Sequence, residues 1–304
     1  MEGVVLRSTG SFYDVLTADG SKVRCTVRGK IRLEGIRESN PVAVGDRVFF
    51  DTENEIGSIT EILPRSNHIL RQSVKKTGHA HVLAANVDQA FLVVTVVLPR
   101  TSLGFIDRFL VSAESFRIPQ TLVFNKQDLL NPDETEYQEA LMDIYQNIGV
   151  GVIAVSALQS DLSGLRKLLD GKTTLLAGHS GVGKSTLLNK LDSGINQKVG
   201  EISDYSSKGT HTTTFAEMFN IGENTFVIDT PGIKEWGLVD MNEQELSDYF
   251  PEMRDRRLQC KFGARCVHIH EPDCAIIPAV EQGEIAPSRY DSYLSMLAGK
   301  DNRK

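Results

Sequence analysis

At 304 residues, with 40% hydrophobic and 24% charged side chains, the chain can bury substantial cores, is long enough for two or three domains, and is too apolar to be read as disordered. Met1-Glu2-Gly3-Val4-Val5 is not a basic segment followed by an apolar run, and nowhere do about 18 apolar residues follow one another, so a soluble, cytoplasmic chain with no membrane partner is expected. A formal net charge of −7 argues against a protein that coats nucleic acid indiscriminately, although Met1–Val82 carries 12 Lys/Arg against 10 Asp/Glu.

From residue 1 to about 64, short Val-, Ile- and Phe-rich runs (Gly3–Leu6, Phe12–Leu16, Val23–Val27, Val48–Asp51, Ser58–Ile62) are separated by Gly, Asp and Asn turns. That spacing predicts a small all-β barrel, five-stranded and OB-type or else SH3-like. Arg24, Arg28, Lys30 and Arg32, beside a turn at Phe12-Tyr13, offer phosphate contacts and a stacking surface for RNA, and a solvated charged face explains the same residues. Cys25 reads as a small core residue. Residues 65–82, with Arg65, Arg71, Lys75 and Lys76, show no period and read as a basic connector.

Over residues 83–238 the pattern changes to an α/β one. Apolar runs typical of buried parallel strands (Gln89–Val97, Thr121–Phe124, Val152–Val155, Thr173–Ala177, Thr225–Ile228) alternate with helical stretches such as Phe105–Phe116 and Glu134–Ile148. Gly178-His179-Ser180-Gly181-Val182-Gly183-Lys184-Ser185, followed by Thr186, fits the phosphate-loop pattern between a strand and a helix. Its glycines let backbone N–H groups surround a β-phosphate, Lys184 bridges β- and γ-phosphates, and Ser185 is a ligand for Mg²⁺.

Three further strand ends specify guanine. Asn125-Lys126-Gln127-Asp128 places a carboxylate where guanine N1 and N2 donate, a pattern adenine lacks. Ser156-Ala157 offers a backbone N–H to the guanine O6. Asp229-Thr230-Pro231-Gly232 supplies a carboxylate for the Mg²⁺ shell and, in Gly232, an N–H that senses the γ-phosphate. The order is rotated with respect to ordinary GTPases: the guanine motifs precede the phosphate loop, and Thr212-Thr213 and then Asp229 follow it. The domain is therefore circularly permuted, and the segment after Gly232 leads directly into the remaining residues, 239–304.

That last part is expected to be mostly helical, with helices at Asn242–Tyr249 and Ser288–Leu297 around Cys260, Cys266, His268 and Cys274. Three thiolates and an imidazole suffice for one closed, structural Zn²⁺ site, with His270 competing as fourth ligand; a reactive thiol pair or free buried cysteines are the alternatives.

Barrel, permuted nucleotide motifs and Cys/His tail, in this order, resemble the ribosome small-subunit-dependent GTPase A family over essentially the whole chain. The resemblance implies a GTP hydrolase that binds the small ribosomal subunit and its rRNA late in assembly, is stimulated by that subunit, and converts GTP to GDP; a monomer is expected. It assigns water positioning to His211, before Thr212-Thr213, because Ile233 stands where many GTPases carry Gln. Thr213, or else Thr212, joins the Mg²⁺ shell. Lys261 and Arg265 become a second rRNA contact. The family usually has four residues between its first two cysteines; here there are five, so that loop must bulge. A GTPase switch with a protein partner outside the ribosome is the competing reading.

Overall fold

The computed structural model describes residues 1–27, 42–52, 56–72, 80–192, 194–195, 216–229 and 242–299. Five strands, β1 (Glu2–Ser8), β2 (Tyr13–Thr17), β3 (Lys22–Val27), β4 (Arg47–Asp51) and β5 (Gly57–Ile62), close in the order β1-β2-β3-β5-β4-β1. Every pair is antiparallel except β3 with β5. A meandering SH3-like barrel has no such parallel pair, so the barrel is OB-type. Alternate residues point inward, and Val5, Tyr13, Val15, Cys25, Val48, Phe50 and Ile59 form its core. This corrects the expectation of a turn at Phe12-Tyr13: Tyr13 opens β2 and is only 2% exposed, leaving Phe12 alone at the surface, with the Arg24 guanidinium 5.8 Å from its ring centre. Arg28, Lys30 and Arg32 lie outside the described residues.

The connector is not structureless. β6 (His68–Gln72) and β7 (Ala80–Ala85) pair as an antiparallel ribbon wedged between barrel and α/β domain. Ala85 N–H donates to the Val44 carbonyl, and the Asn86 amide donates to the Gly45 carbonyl at 2.9 Å. Gly45 has φ +86°, and a Cβ there would lie 2.2 Å from the Ala85 oxygen, so no other residue permits this approach. Arg65, the first residue of the expected basic connector, has a side chain only 8% exposed and grips Asp46 with two bonds of 2.7 and 2.8 Å.

The central sheet runs β10 (Gly151–Ala154), β9 (Gln120–Phe124), β8 (Gln89–Val94), β11 (Thr173–Ala177), β13 (Thr225–Asp229), β12 (Glu217–Gly222), all parallel but the last. β8 is buried on both faces, and its alternation divides the core. Ala90, Leu92 and Val94 pack with α1 (Leu103–Ser115) and α2 (Pro132–Asn147), whereas Phe91 and Val93 pack with α3 (Ser163–Leu169) and α4 (Lys184–Leu191). α2 starts at a reciprocal cap between Asn131 and Glu134. One bridge, Arg7 to Glu217, joins β1 to β12 and makes the barrel continuous with this sheet.

The C-terminal part contains α5 (Glu243–Leu246), α6 (Pro251–Arg257), α7 (Ile276–Glu281) and α8 (Pro287–Leu297) around a core that includes Val111 of α1. Among the described residues no helix is long and apolar enough to cross a membrane.

Candidate nucleotide and metal sites

Strands β8 to β11 and β13 end on one edge of the sheet, and the loops that follow them converge there. After β11, Gly178–Gly183 turns into α4, whose first turn has no side-chain cap, so its N–H groups face outward as an anion site requires. Lys184 is partly buried in this turn and donates to the carbonyls of Gly178 (2.7 Å) and His179 (3.0 Å). Burial lowers its pKa, and the nearby carboxylate of Asp229, at the end of β13, acts in the opposite direction. Ser185 and Thr186 follow on the same turn. Ser180 is exposed at the loop's crest, Val182 is buried beneath it, and the His179 ring lies 3.7 Å from that of Phe105, centre to centre.

Asn125 fastens this loop to the segments after β9 and β10. Its amide donates to the Val182 carbonyl at 2.8 Å, and its oxygen accepts from the Ala157 N–H at 2.9 Å. Gly183 has φ +98°, and a Cβ would meet the Asn125 amide at 2.4 Å; the glycine serves the turn and this contact together. Ser156 donates to Asp128 at 2.5 Å, which fixes the carboxylate's direction, and its own N–H is held by Ser160. Lys126, in left-handed backbone geometry, donates to the Leu98 carbonyl. His211, Thr212, Thr213 and Gly232 lie outside the described residues.

The strand expected to reach Val97 ends at Val94, and residues 95–102 form a loop that borders both nucleotide segments. Thr101 N–H closes the loop on the Thr95 carbonyl, Ser102 caps α1, and Pro99 lies against Gly181. The Pro-Arg-Thr-Ser run directly after a strand is the signal that was available.

The second site is compact. Cys260, Cys266, His268 and Cys274 are all buried, with ligand atoms within 4.8 Å of one another. His268 Nδ1 is 3.7 Å from Cys260 Sγ and 3.5 Å from Cys274 Sγ. These are close to the edges of about 3.5–3.8 Å in a tetrahedron with Zn–N and Zn–S bonds of about 2.0 and 2.3 Å. Nδ1 therefore faces the thiols, while Nε2 is buried and finds no hydrogen-bond partner among the described residues. Burial pushes the Cys266 thiol up to about 12 and raises Cys274, which favours the protonated form of these two thiols; a bound divalent ion reverses that preference. His270 is exposed and outside the cluster.

The loop carrying His268 is organised by Glu271, which sequence reasoning did not single out. Its carboxylate accepts from the N–H groups of Val267 (2.8 Å), Ile269 (2.9 Å) and His270 (3.2 Å). The five residues between Cys260 and Cys266 include a 3₁₀ turn at Gly263–Arg265, with Gly263 at φ +49°. Tyr293 and Tyr290 bind the carbonyls of Val267 and His268 from α8.

A phosphate-loop strand between β8 and β13, with the guanine-type motifs preceding it in the chain, defines a circularly permuted P-loop GTPase. The family models specify it further: RsgA GTPase matches residues 62–239 and RsgA N-terminal domain matches residues 2–59. The chain belongs to the RsgA GTPase family. It is 50% identical to Small ribosomal subunit biogenesis GTPase RsgA 2 of Bacteroides thetaiotaomicron, across 100% of this chain and 98% of that protein. It is 49% identical to Small ribosomal subunit biogenesis GTPase RsgA of Bacteroides fragilis, with the same coverage. Among solved structures, YjeQ from Thermotoga maritima superimposes with TM-score 0.77 at 34% identity, covering 98% of this chain and 97% of that one. YloQ, described as a circularly permuted GTPase, gives 0.73 at 31%, covering 100% and 96%.

Proposed function

We propose that this GTPase acts in the biogenesis of the small ribosomal subunit, binding that subunit and its rRNA in the cytoplasm as a monomer and hydrolysing GTP to GDP in response. The relatives' names, at about half identity over the full length, support the biological setting. The observation that carries the chemistry is Asn125, which holds the phosphate loop and the Ala157 segment in one site.

In this reading Gly178–Gly183 and Lys184 hold the β- and γ-phosphates, and Asp128 accepts from guanine N1 and N2 while the Ala157 N–H meets O6. Ser185, Thr213 and Asp229 hold Mg²⁺, which when bound neutralises phosphate charge. Gly232 N–H reads the γ-phosphate, and His211 orients the attacking water by accepting a hydrogen bond from it. Cys260, Cys266, His268 and Cys274 hold one structural Zn²⁺, supported by their mutual distances and burial. The proposed domains are residues 1–64, 65–82, 83–238 and 239–304.

The test is GTP turnover by purified protein with and without small ribosomal subunits, with Lys184→Ala as the blank and His211→Ala as the catalytic probe. Strong stimulation by small subunits alone, lost in both variants, is expected. Turnover indifferent to the subunit, with GTP binding intact, overturns the ribosomal assignment.

A further inference from the structure

Helix α1 has two buried faces. Phe105, Phe109 and Ala113 pack into the sheet, whereas Asp107, Val111 and Glu114, spaced four and three residues apart, face the C-terminal domain. There Arg289 of α8, 1% exposed, donates to Asp107 at 2.6 Å and to Glu252 of α6 at 2.8 Å, its guanidinium 4.6 Å from the Phe250 ring centre. Tyr145 of α2 donates to the same Asp107 oxygen at 3.0 Å. Burial alone disfavours the charged guanidinium, but the two carboxylates overcome this and hold Arg289 charged, with its pKa above the ordinary value. Two residues before Asp107, Phe105 in the first turn of α1 lies against His179 of the phosphate loop, the rings tilted by 31° with centres 3.7 Å apart, and the helix starts from the loop whose Pro99 lies beside Gly181 and whose Leu98 carbonyl receives Lys126.

We infer that residues 95–102 and α1 couple the phosphate loop to the C-terminal Cys/His domain, with Arg289 as the positioning residue that clamps this domain to α1. The coupling rests on the nucleotide site proposed above, and it is a route separate from the chain connection through residues 230–241. His179, whose carbonyl Lys184 holds, also packs on Phe105, so a phosphate drawn to Lys184 bears on Phe105 and, two residues along the same helix, on the Asp107–Arg289 pair. Linkage makes the effect reciprocal: whatever shifts the docked C-terminal domain shifts nucleotide affinity by the same factor.

The test is hydrogen exchange of the full chain, without nucleotide and with GDP or a non-hydrolysable GTP analogue at saturation, with binding followed by fluorescence in the same samples. Exchange in residues 287–297 should change by about threefold or more on nucleotide binding in the wild type, and by less than about 1.5-fold in Phe105→Leu and Arg289→Gln. Phe105→Leu leaves the ion cluster intact, so it decides the matter should Arg289→Gln not fold. An unchanged α8 in nucleotide-bound wild type, or a full response retained in either folded variant, overturns the coupling. A wild type that binds no guanine nucleotide overturns the site reading, and the coupling with it.

Discussion

The Asn125 amide nitrogen lies 2.8 Å from the Val182 carbonyl, across a sequence separation of 57 residues and in the reverse of the usual motif order. Both groups are buried, and Ala157 N–H completes the bridge at 2.9 Å. Sheet adjacency, β9 beside β8 beside β11, creates this contact, so permutation of the chain leaves it intact.

Asn125→Ala should therefore loosen two loops at once. It leaves a buried carbonyl and a buried N–H unpaired, at about 1–3 kcal/mol each. GDP affinity should fall by roughly tenfold or more, and the melting midpoint should drop by about 5 °C or more. Fluorescent GDP titration gives the answer, and near wild-type affinity would remove Asn125 from its bridging role.

Asp128 accepts from Ser156 at 2.5 Å through one oxygen, which leaves the other to serve the proposed base site. Asp128→Asn replaces an acceptor by a donor, so guanine binding should weaken by about 2–3 kcal/mol, roughly 30–150-fold. Xanthine carries an oxygen where guanine carries its 2-amino group, so xanthosine diphosphate should gain affinity in the same variant. Competition between the two nucleotides measures both changes; parallel weakening of both would show that Asp128 does not read the base.

The parts legible in the sequence are those whose chemistry is local. The loop at Gly178–Ser185, the acidic strand ends and the alternation in β8 need no distant partner to be recognised. β12 was not anticipated because only Met218 of its six residues is fully buried; its strand state comes from pairing with β13 and with Arg7. The β6–β7 ribbon was missed for a similar reason, being two short strands whose partners across the junction are Val44 and Gly45. Phe105 reads as an ordinary core residue of α1, and only the fold reveals the imidazole tilted against it.

Arg65 is the clearest instance of a charge whose partner only the fold supplies. Asp46 is fully buried, accepts both Arg65 bonds and also receives the Ala43 N–H at 2.7 Å. Arg65→Met leaves that carboxylate buried without its counter-ion, which should cost about 3–5 kcal/mol. Denaturant unfolding measures it. A loss below about 1 kcal/mol would mean that Asp46 is adequately solvated by other groups.

Metal removal addresses the Cys/His cluster. With zinc in the site, the purified chain should carry one ion, and chelation should lower the melting midpoint by on the order of 10 °C. Cys266→Ser should reproduce the effect of chelation and make further chelator ineffective. Absence of stoichiometric metal, with stability unchanged by chelator, would leave these residues as buried free thiols.

Glu271 supplies a pH signature for the same loop. Partial burial acts to raise its pKa, but the N–H donors of Val267, Ile269 and His270 outweigh it and hold the carboxyl at about 2, below its ordinary 4.5. A depressed folded-state value means that its contribution to stability is fully present above about pH 4.5 and is lost as the pH falls toward 2. Glu271→Gln lacks the charge at every pH and should be less stable than wild type at neutral pH, with the gap closing across that window. Because zinc thiolates also protonate in acid, the comparison belongs between the two metal-free proteins, followed by exchange of the 267–270 amides. A gap that stays constant down to pH 2 would mean that the three N–H groups do not depend on the carboxylate charge, and the loop would then owe its shape to Tyr290 and Tyr293.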